Sequence, residues 1–380
     1  MSQSIYLDHA AATPLDGRVL AAMQPYLTDQ FYNPSATYLA AKSIRHDIDD
    51  ARARTAKALG VRPREIVFTA GASEANNLAI HGVMARYPEG KILVSAIEHD
   101  SVLAAARQYN HAVIPVDANG HVNLIELAKL VTDDVVLVSI MYANNEIGTI
   151  QHFSGINAVL SKIRDNRVSS NENNNPLYLH TDAAQAPNLL SVLAKKIGID
   201  LMSLNGGKIY GPKQSGALYV ATGIELEPLI YGGGQEFGLR SGTENVAGIV
   251  GFSHALEKAV AMRRGQEEHL SALRSLFYTE LEVKVPNAVI TAPGAGLFNI
   301  VHLTIPGTDN ERMMMELDER GIMCAVGSAC SASSDEPSHV LKAIGLTDEQ
   351  AQTSLRFTMG RSTTEQDVRA TVAALAELTS

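Results

Sequence analysis

The stretch Asp200-Leu-Met-Ser-Leu-Asn-Gly-Gly-Lys208-Ile-Tyr-Gly-Pro-Lys213-Gln-Ser-Gly-Ala-Leu-Tyr-Val220 reads as an apolar strand, a glycine turn, a lysine, a Gly-Pro turn and a second strand. A lysine between two glycine-rich turns combines a long, flexible stem with a closely specified backbone. That placement suits an amine that must reach one electrophilic carbon and form a Schiff base, the usual chemistry of a nucleophilic lysine. A solvated lysine on a surface turn is the other reading of the same window. The flanking sequence has to decide between them.

Upstream, strands and helices alternate. The spacing predicts a strand over 65–69, a turn at Ala70-Gly71-Ala72-Ser73, and a helix over 74–84. Further strands are expected over 91–95, 112–116 and 177–181, with a helix over 156–164. The apolar run over 135–141 suits a strand buried on both faces. Repeated β–α units imply a mostly parallel sheet covered by helices, whose ligands bind beyond the carboxyl ends of the strands. Ser73, His99, Asn145, Asp182 and Lys208 each fall at or just after an expected strand end, which points to one shared site. The polar, asparagine-rich segment 165–176 reads as a mobile surface insertion. A strongly helical stretch over 245–283 links a large domain (15–256) to a smaller α+β one made from 1–14 and 257–380.

The chain has 380 residues, enough for two domains, with 46% hydrophobic and 19% charged residues, an ordinary globular balance. A net charge of −10 gives no general attraction to nucleic acid or to anionic membranes. The start lacks a basic region followed by a long apolar run, and no apolar stretch approaches a membrane span. The two cysteines, Cys324 and Cys330, make neither a disulfide framework nor a zinc site, and fit a reducing, cytoplasmic setting. No metal site is expected.

A pyridoxal phosphate site needs a Schiff-base lysine, a carboxylate for the pyridine nitrogen, a phosphate cup, a ring-stacking group and an anchor for the substrate carboxylate. Lys208 supplies the amine. Asp182 can pair with a protonated ring nitrogen, or cap a helix. His99 can stack on the ring and shuttle protons, or be a surface histidine. Small residues around Ala72 and Ser73 leave helix-start N–H groups to an anion, unless Ser73 caps the helix. Asn145 and Gln185 can bond the ring oxygen or satisfy turn backbone. Arg356 interrupts an apolar strand and needs a partner, either a bidentate substrate carboxylate or an internal Asp or Glu. Cys330 sits in Gly327-Ser-Ala-Cys330-Ser-Ala-Ser-Ser, small residues that favour a reactive thiol over a packed one. Cys324 reads as a strand residue without a role.

These motifs together resemble a cysteine desulfurase of the NifS/IscS type, within the fold-type I pyridoxal phosphate enzymes. The resemblance rests on Tyr6-Leu-Asp-His-Ala-Ala, Phe68-Thr-Ala-Gly-Ala-Ser-Glu-Ala-Asn-Asn-Leu, Glu98-His99, Asn144-Asn-Glu-Ile-Gly, Asp182-Ala-Ala-Gln185 and Lys208-Ile-Tyr-Gly-Pro-Lys. It continues through Gly232-Gly-Gly-Gln-Glu, Arg240-Ser-Gly-Thr243, Gly327-Ser-Ala-Cys330 and Ser354-Leu-Arg356-Phe. Each is weak alone; their joint order is specific.

The resemblance implies a large domain with a mostly parallel seven-stranded sheet flanked by helices, and pyridoxal 5'-phosphate as cofactor. It assigns Lys208 the Schiff base and Asp182 the pyridinium. Gln185 and Asn145 become ring contacts and His99 the stacking acid–base group. Ala72 and Ser73, with Ser203 and Asn205, fall at the cofactor site. Thr243 matches a phosphate contact given to the other subunit of a homodimer. Asn33 and Arg356 match the carboxylate anchors, and Cys330 the nucleophile that takes sulfur from L-cysteine as a persulfide on a mobile loop (327–336). Implied partners are a sulfur acceptor, either an iron–sulfur scaffold or a thiolation enzyme, with no membrane and no direct nucleic acid. The same fold also hosts selenocysteine lyases and other elimination enzymes, and a cofactor-binding protein acting by association.

Three positions depart from the family pattern. Gly207 stands where a phosphate-binding histidine is usual, Asn205 where serine is usual, and Phe237 where an arginine is common. Fewer side-chain donors in the cup imply easier cofactor loss.

Overall fold

The computed structural model describes residues 4–170, 175–292, 294, 296–327 and 337–379. Its strands are β1 (Ile5–Tyr6), β2 (Ile66–Thr69), β3 (Lys91–Ser95), β4 (His111–Ile114), β5 (Val135–Ser139), β6 (Tyr178–Asp182), β7 (Leu201–Asn205), β8 (Gly216–Val220), β9 (Val289–Ile290), β10 (Ile300–Thr304), β11 (Ile322–Met323) and β12 (Ser354–Thr358). A seven-stranded sheet runs in the order β2-β8-β7-β6-β5-β3-β4. Its neighbours pair parallel from β7 to β4, while β8 is antiparallel to both β7 and β2.

The alternation of side chains along a strand explains why the sheet is covered twice. Ile66 and Phe68 of β2, with Val138 and Met202, enter one apolar core, packed by Phe252 and Leu256. Val67 of β2, with Leu137 and Leu218, faces the opposite way into a second core with Leu78 and Val83. A third core, separate from the sheet, joins Leu7, Leu270, Phe277, Leu303, Leu355, Phe357 and Val372. The helix Val246–Lys284 spans two of them: Phe252 and Leu256 pack on the sheet, Leu270 and Phe277 in the third core.

That third core draws on both ends of the chain. Strand β1 pairs parallel with β11, Ile5 opposite Ile322, and β12 lies between β10 and a bridge to Asp8. The N-terminal segment then crosses to the large sheet, where the N–H of Thr13 donates to the Gly207 carbonyl at 3.0 Å. No helix among the described residues is long and apolar enough to cross a membrane.

Two boundaries differ from the expectation. The helix before β6 runs Phe153–Ser170, so residues 165–170 of the supposed surface insertion are helical. Arg167 explains this: it is buried, with Nη2 donating to the carbonyls of Thr132 (2.7 Å) and Val135 (3.0 Å), which ties the last turn to the sheet. A short helix Asp100–Ala106, capped by His99, was not foreseen.

Candidate active site

The parallel strands end at one edge, and the candidate residues gather there. Strand β7 ends at Asn205, and a single 3-10 turn, Gly206–Lys208, places the lysine. Glycine is required at 206, where a Cβ would lie 2.2 Å from the Ser215 hydroxyl oxygen. Lys208 is half-buried, and its Nζ donates to the Ala11 carbonyl at 2.5 Å. Thr13 fixes the turn from both sides. Its hydroxyl donates to the Gly207 carbonyl (3.1 Å) and accepts from the Tyr210 N–H (2.8 Å).

Beside Lys208 opens a cavity of about 410 Å³, lined by Ala11, Gly71, Ala72, Ser73, Asn205 and Lys213 among others. Its floor is the start of the helix Ala72–Arg86. The cap residue is Gly71, at φ 127°, with no side-chain cap, so Ser73 lies inside the helix instead of capping it. A helix start without a cap presents N–H donors and a positive dipole end, a natural anion seat. Lys213 adds a positive charge on the wall, its Nζ on the Thr13 carbonyl at 2.6 Å. Asn205 turns its Oδ1 to the Gly207 N–H at 3.0 Å, and the Glu74 carboxylate is neutralised by Arg240 at 2.9 Å.

Asp182 ends β6 and is buried. Its Oδ1 accepts from the Ala184 N–H (2.8 Å) and its Oδ2 from Asn76 Nδ2 (2.7 Å). Asn76 Nδ2 also donates to the Ser101 hydroxyl (2.8 Å), which lies 2.9 Å from His99 Nδ1. The Ser101 N–H donates to the same nitrogen at 3.1 Å, so Nδ1 carries the lone pair of the neutral ring and Nε2 the hydrogen. Asp182 and His99 are thus joined through Asn76 and Ser101, two residues that sequence reasoning missed. The signal was present: Asn76 is a polar residue among the apolar, buried positions Ala75, Leu78, Ala79 and Ile80 of its helix.

Glu98, next to His99, is fully buried. Its Oε1 accepts from the Met141 N–H at 2.5 Å, while Oε2 has no partner among the described residues. Burial, with a smaller contribution from the Asp182 charge, holds its carboxyl well above the ordinary range. Gln185 donates to the Ala10 carbonyl at 3.1 Å, on a small cavity shared with Lys208. Asn145 is half-buried, and its carbonyl accepts from Arg356 Nη1 at 3.0 Å.

Other candidates lie apart. Ser203 is fully buried in mid-strand with its hydroxyl on His180 at 3.0 Å, and does not line the cavity. Asn33 and Thr243 are exposed, and Asn33 turns its Oδ1 to the Ser35 N–H. Arg356, 1% exposed, takes the internal alternative: Nη2 donates to Asp8 Oδ1 at 2.7 Å. Cys330 lies outside the described residues. Cys324 is half-buried on a separate cavity of about 930 Å³, its thiol pushed up to about 12 by burial and then by the Asp8 charge. Phe237, at φ 61°, stacks on the Arg52 guanidinium (4.9 Å), which Phe68 covers from its own side (4.8 Å). No metal-holding cluster of His, Cys, Asp and Glu occurs among the described residues.

A helix start without a cap, two lysines and a buried, doubly bonded carboxylate at one sheet edge fit a phosphorylated aldehyde with a basic ring nitrogen. The family model described as aminotransferase class-V matches residues 5–371. A cysteine desulfurase IscS from Dictyoglomus turgidum is 39% identical over 380 residues, covering 98% of this chain and 93% of that protein. Among solved structures, one described as a NifS-like protein superposes with a TM-score of 0.90 at 32% identity, covering 99% of both chains. Another, SspA in complex with cysteine, gives 0.79 at 34% identity, covering 94% of this chain and 99% of that one.

Proposed function

The chain belongs to the class-V aminotransferase family, and on that premise we propose that it is a pyridoxal phosphate-dependent cysteine desulfurase. It converts L-cysteine to L-alanine and keeps the sulfur as a persulfide on Cys330. The observation that carries this reading is the position of Lys208, fixed on the edge of a cavity whose floor is the bare start of the helix Ala72–Arg86.

Ala72 and Ser73 would hold the cofactor's phosphate and Lys208 its aldehyde carbon. Asp182 would hold the ring nitrogen, His99 the ring face, and Gln185 and Asn145 the ring oxygen. When bound, the cofactor withdraws electrons from the substrate's α-carbon. The remaining work falls to side chains of this chain. Lys208 Nζ takes the α-proton and returns a proton at the β-carbon. Asp182, held by Asn76 and the Ala184 N–H, stays oriented as the partner of a ring N–H. Arg356 anchors the substrate carboxylate with Asn33. The Cys330 thiolate attacks the substrate sulfur; the S–S bond forms as the carbon–sulfur bond breaks, and the carbon takes a proton.

The reading includes a large unit of 15–256, a small one of 1–14 with 257–380, and a homodimer in which Thr243 serves the partner's cofactor. Exposure of Thr243 in the single chain supports that last point. A cytoplasmic enzyme serving an iron–sulfur scaffold or a thiolation protein completes it. The Gly207 site has room for a larger residue, its nearest neighbour to an added Cβ being Asn205 Oδ1 at 3.4 Å. Gly207→His is therefore expected to slow cofactor loss on dialysis.

The test is mass spectrometry after addition of L-cysteine, with a parallel hydride reduction of the yellow protein. One extra sulfur on the Cys330 peptide and a reduced label on Lys208 are expected. A label elsewhere removes the cofactor assignment; alanine release without a sulfur on Cys330 removes the persulfide.

A further inference from the structure

Arg356 is buried in β12, and its guanidinium already holds a carboxylate. Nη2 donates to Asp8 Oδ1 at 2.7 Å and Nη1 to the Asn145 carbonyl at 3.0 Å, while Nε has no partner among the described residues. Its cross-strand neighbour His302 offers no charge, because burial and the Arg356 charge keep the ring neutral. Glu146 is also buried close by, but its Oε2 accepts from the Ser338 hydroxyl at 2.6 Å. Asp8 is thus the carboxylate that neutralises Arg356.

The way this pair is made differs from the other buried arginine pair. Glu236 grips Arg52 with both oxygens, at 2.6 and 2.7 Å, and also accepts the Phe68 N–H at 2.8 Å. Asp8 touches Arg356 through one oxygen, and no further hydrogen bond from the described residues holds its carboxylate. The side chain of Arg356 is 2% exposed, that of Asp8 19%. Asp8 also lines the cavity of about 930 Å³ whose walls include Gly327 and Ser338, on either side of the segment that carries Cys330. One partner is sealed; the other is held at a single point and lines the cavity.

We propose that Asp8 is an exchangeable counterion, which neutralises Arg356 between turnovers and yields it to the α-carboxylate of the incoming amino acid. This rests on the reading of Arg356 as the carboxylate anchor. A guanidinium this deeply buried cannot be left unpaired without a large penalty, so one carboxylate must replace another. Apparent affinity is then the intrinsic affinity reduced by the fraction of Arg356 that Asp8 occupies. Amines without a carboxylate have nothing to exchange and leave the pair closed. The same turn reaches the lysine: the Asp8 carbonyl accepts the Ala11 N–H at 3.1 Å, and the Ala11 carbonyl holds Lys208 Nζ.

The experiment uses the holoenzyme and L-alanine, a ligand with the α-carboxylate but no sulfur to transfer, titrated by calorimetry. Asp8→Asn should bind it about ten-fold more tightly, with the KM for L-cysteine falling in parallel, a typical size for one coupled charge. Asp8→Glu, which keeps a competing carboxylate, should stay within about two-fold of the native protein. Thermal melting guards against a folding artefact. Asp8→Asn should melt lower than the native protein without ligand and gain more from saturating L-alanine. Unchanged or weaker L-alanine binding in a folded Asp8→Asn protein, or an equal thermal gain, overturns the exchange. Arg356→Lys separates the two levels. If it leaves L-alanine binding intact, the anchor reading itself fails; if it weakens binding while Asp8→Asn does too, the anchor stands and Asp8 is a positioning residue, not a competitor.

Discussion

Asn76 Nδ2 lies 2.7 Å from Asp182 Oδ2, inside a helix that starts the anion seat and against the strand that carries the carboxylate. One buried amide thus ties the start of the helix Ala72–Arg86, the proposed phosphate seat, to Asp182, the proposed partner of the ring nitrogen.

Asn76→Ala should therefore act on catalysis before it acts on folding. A hydrogen bond to a charged group contributes about 1.5–3 kcal/mol, so kcat/KM should fall about 10- to 150-fold. The bound cofactor's absorption band should shift as its ring nitrogen loses a fixed partner. Steady-state kinetics and the visible spectrum check this together; a kinetic loss with an unmoved spectrum would point to general destabilisation.

The Arg52–Glu236 pair predicts the opposite balance. It is buried, bidentate, and capped by Phe68 and Phe237. Arg52→Ala leaves the Glu236 carboxylate buried and unpaired, and should cost about 3–5 kcal/mol in urea denaturation. Arg52→Lys should not rescue it, since an ammonium cannot reproduce the two-point fork or the stacking.

Glu98 should make the native protein less stable as pH rises. Its folded carboxyl keeps its proton above the ordinary carboxylate range, whereas the unfolded chain releases it. The folded state therefore holds the extra proton above about pH 4.3, and stability falls as pH climbs toward the folded pKa. Glu98→Gln mimics the protonated side chain. It should be more stable than the native protein at pH 7, where the native side chain bears the cost of buried ionisation or of a retained proton. The gap should close toward pH 4. Urea midpoints across that range test the sign.

The Cys324 thiol, pushed up to about 12 by burial and the nearby Asp8 charge, should resist alkylation at pH 8. Its thiolate fraction there is on the order of 10³-fold below that of an ordinary thiol. Peptide mapping after iodoacetamide should find the label on Cys330. Equal labelling of Cys324 would show that its pocket opens freely.

Much of the fold was legible because its signals are local. Alternating and continuous apolar runs marked the seven strands, and glycines marked the turn that presents Lys208. The strand ends pointed to Asp182, His99 and Asn145 along one edge. What stayed hidden depends on packing between elements. Asn76 reaches Asp182 across 106 positions, and Asp8 reaches Arg356 across 348. No periodicity records such pairs. Residues 165–170 misled for a related reason: their polarity suggested a loop, but Arg167 anchors the helix to the backbone carbonyls of Thr132 and Val135 at the start of β5. Ser203 lies in the strand that leads to Lys208, with its hydroxyl taken up by His180.

The pairing of β1 with β11 has a further result at the ribosome. Ile5 is made well before its neighbour Ile322, which follows 317 positions later, on the order of tens of seconds at ordinary elongation rates. Throughout that wait Leu7 lacks Leu303, Leu355 and Phe357 of its core and Asp8 lacks Arg356, so this segment of the nascent chain stays exposed and sticky until β10 and β12 have been made.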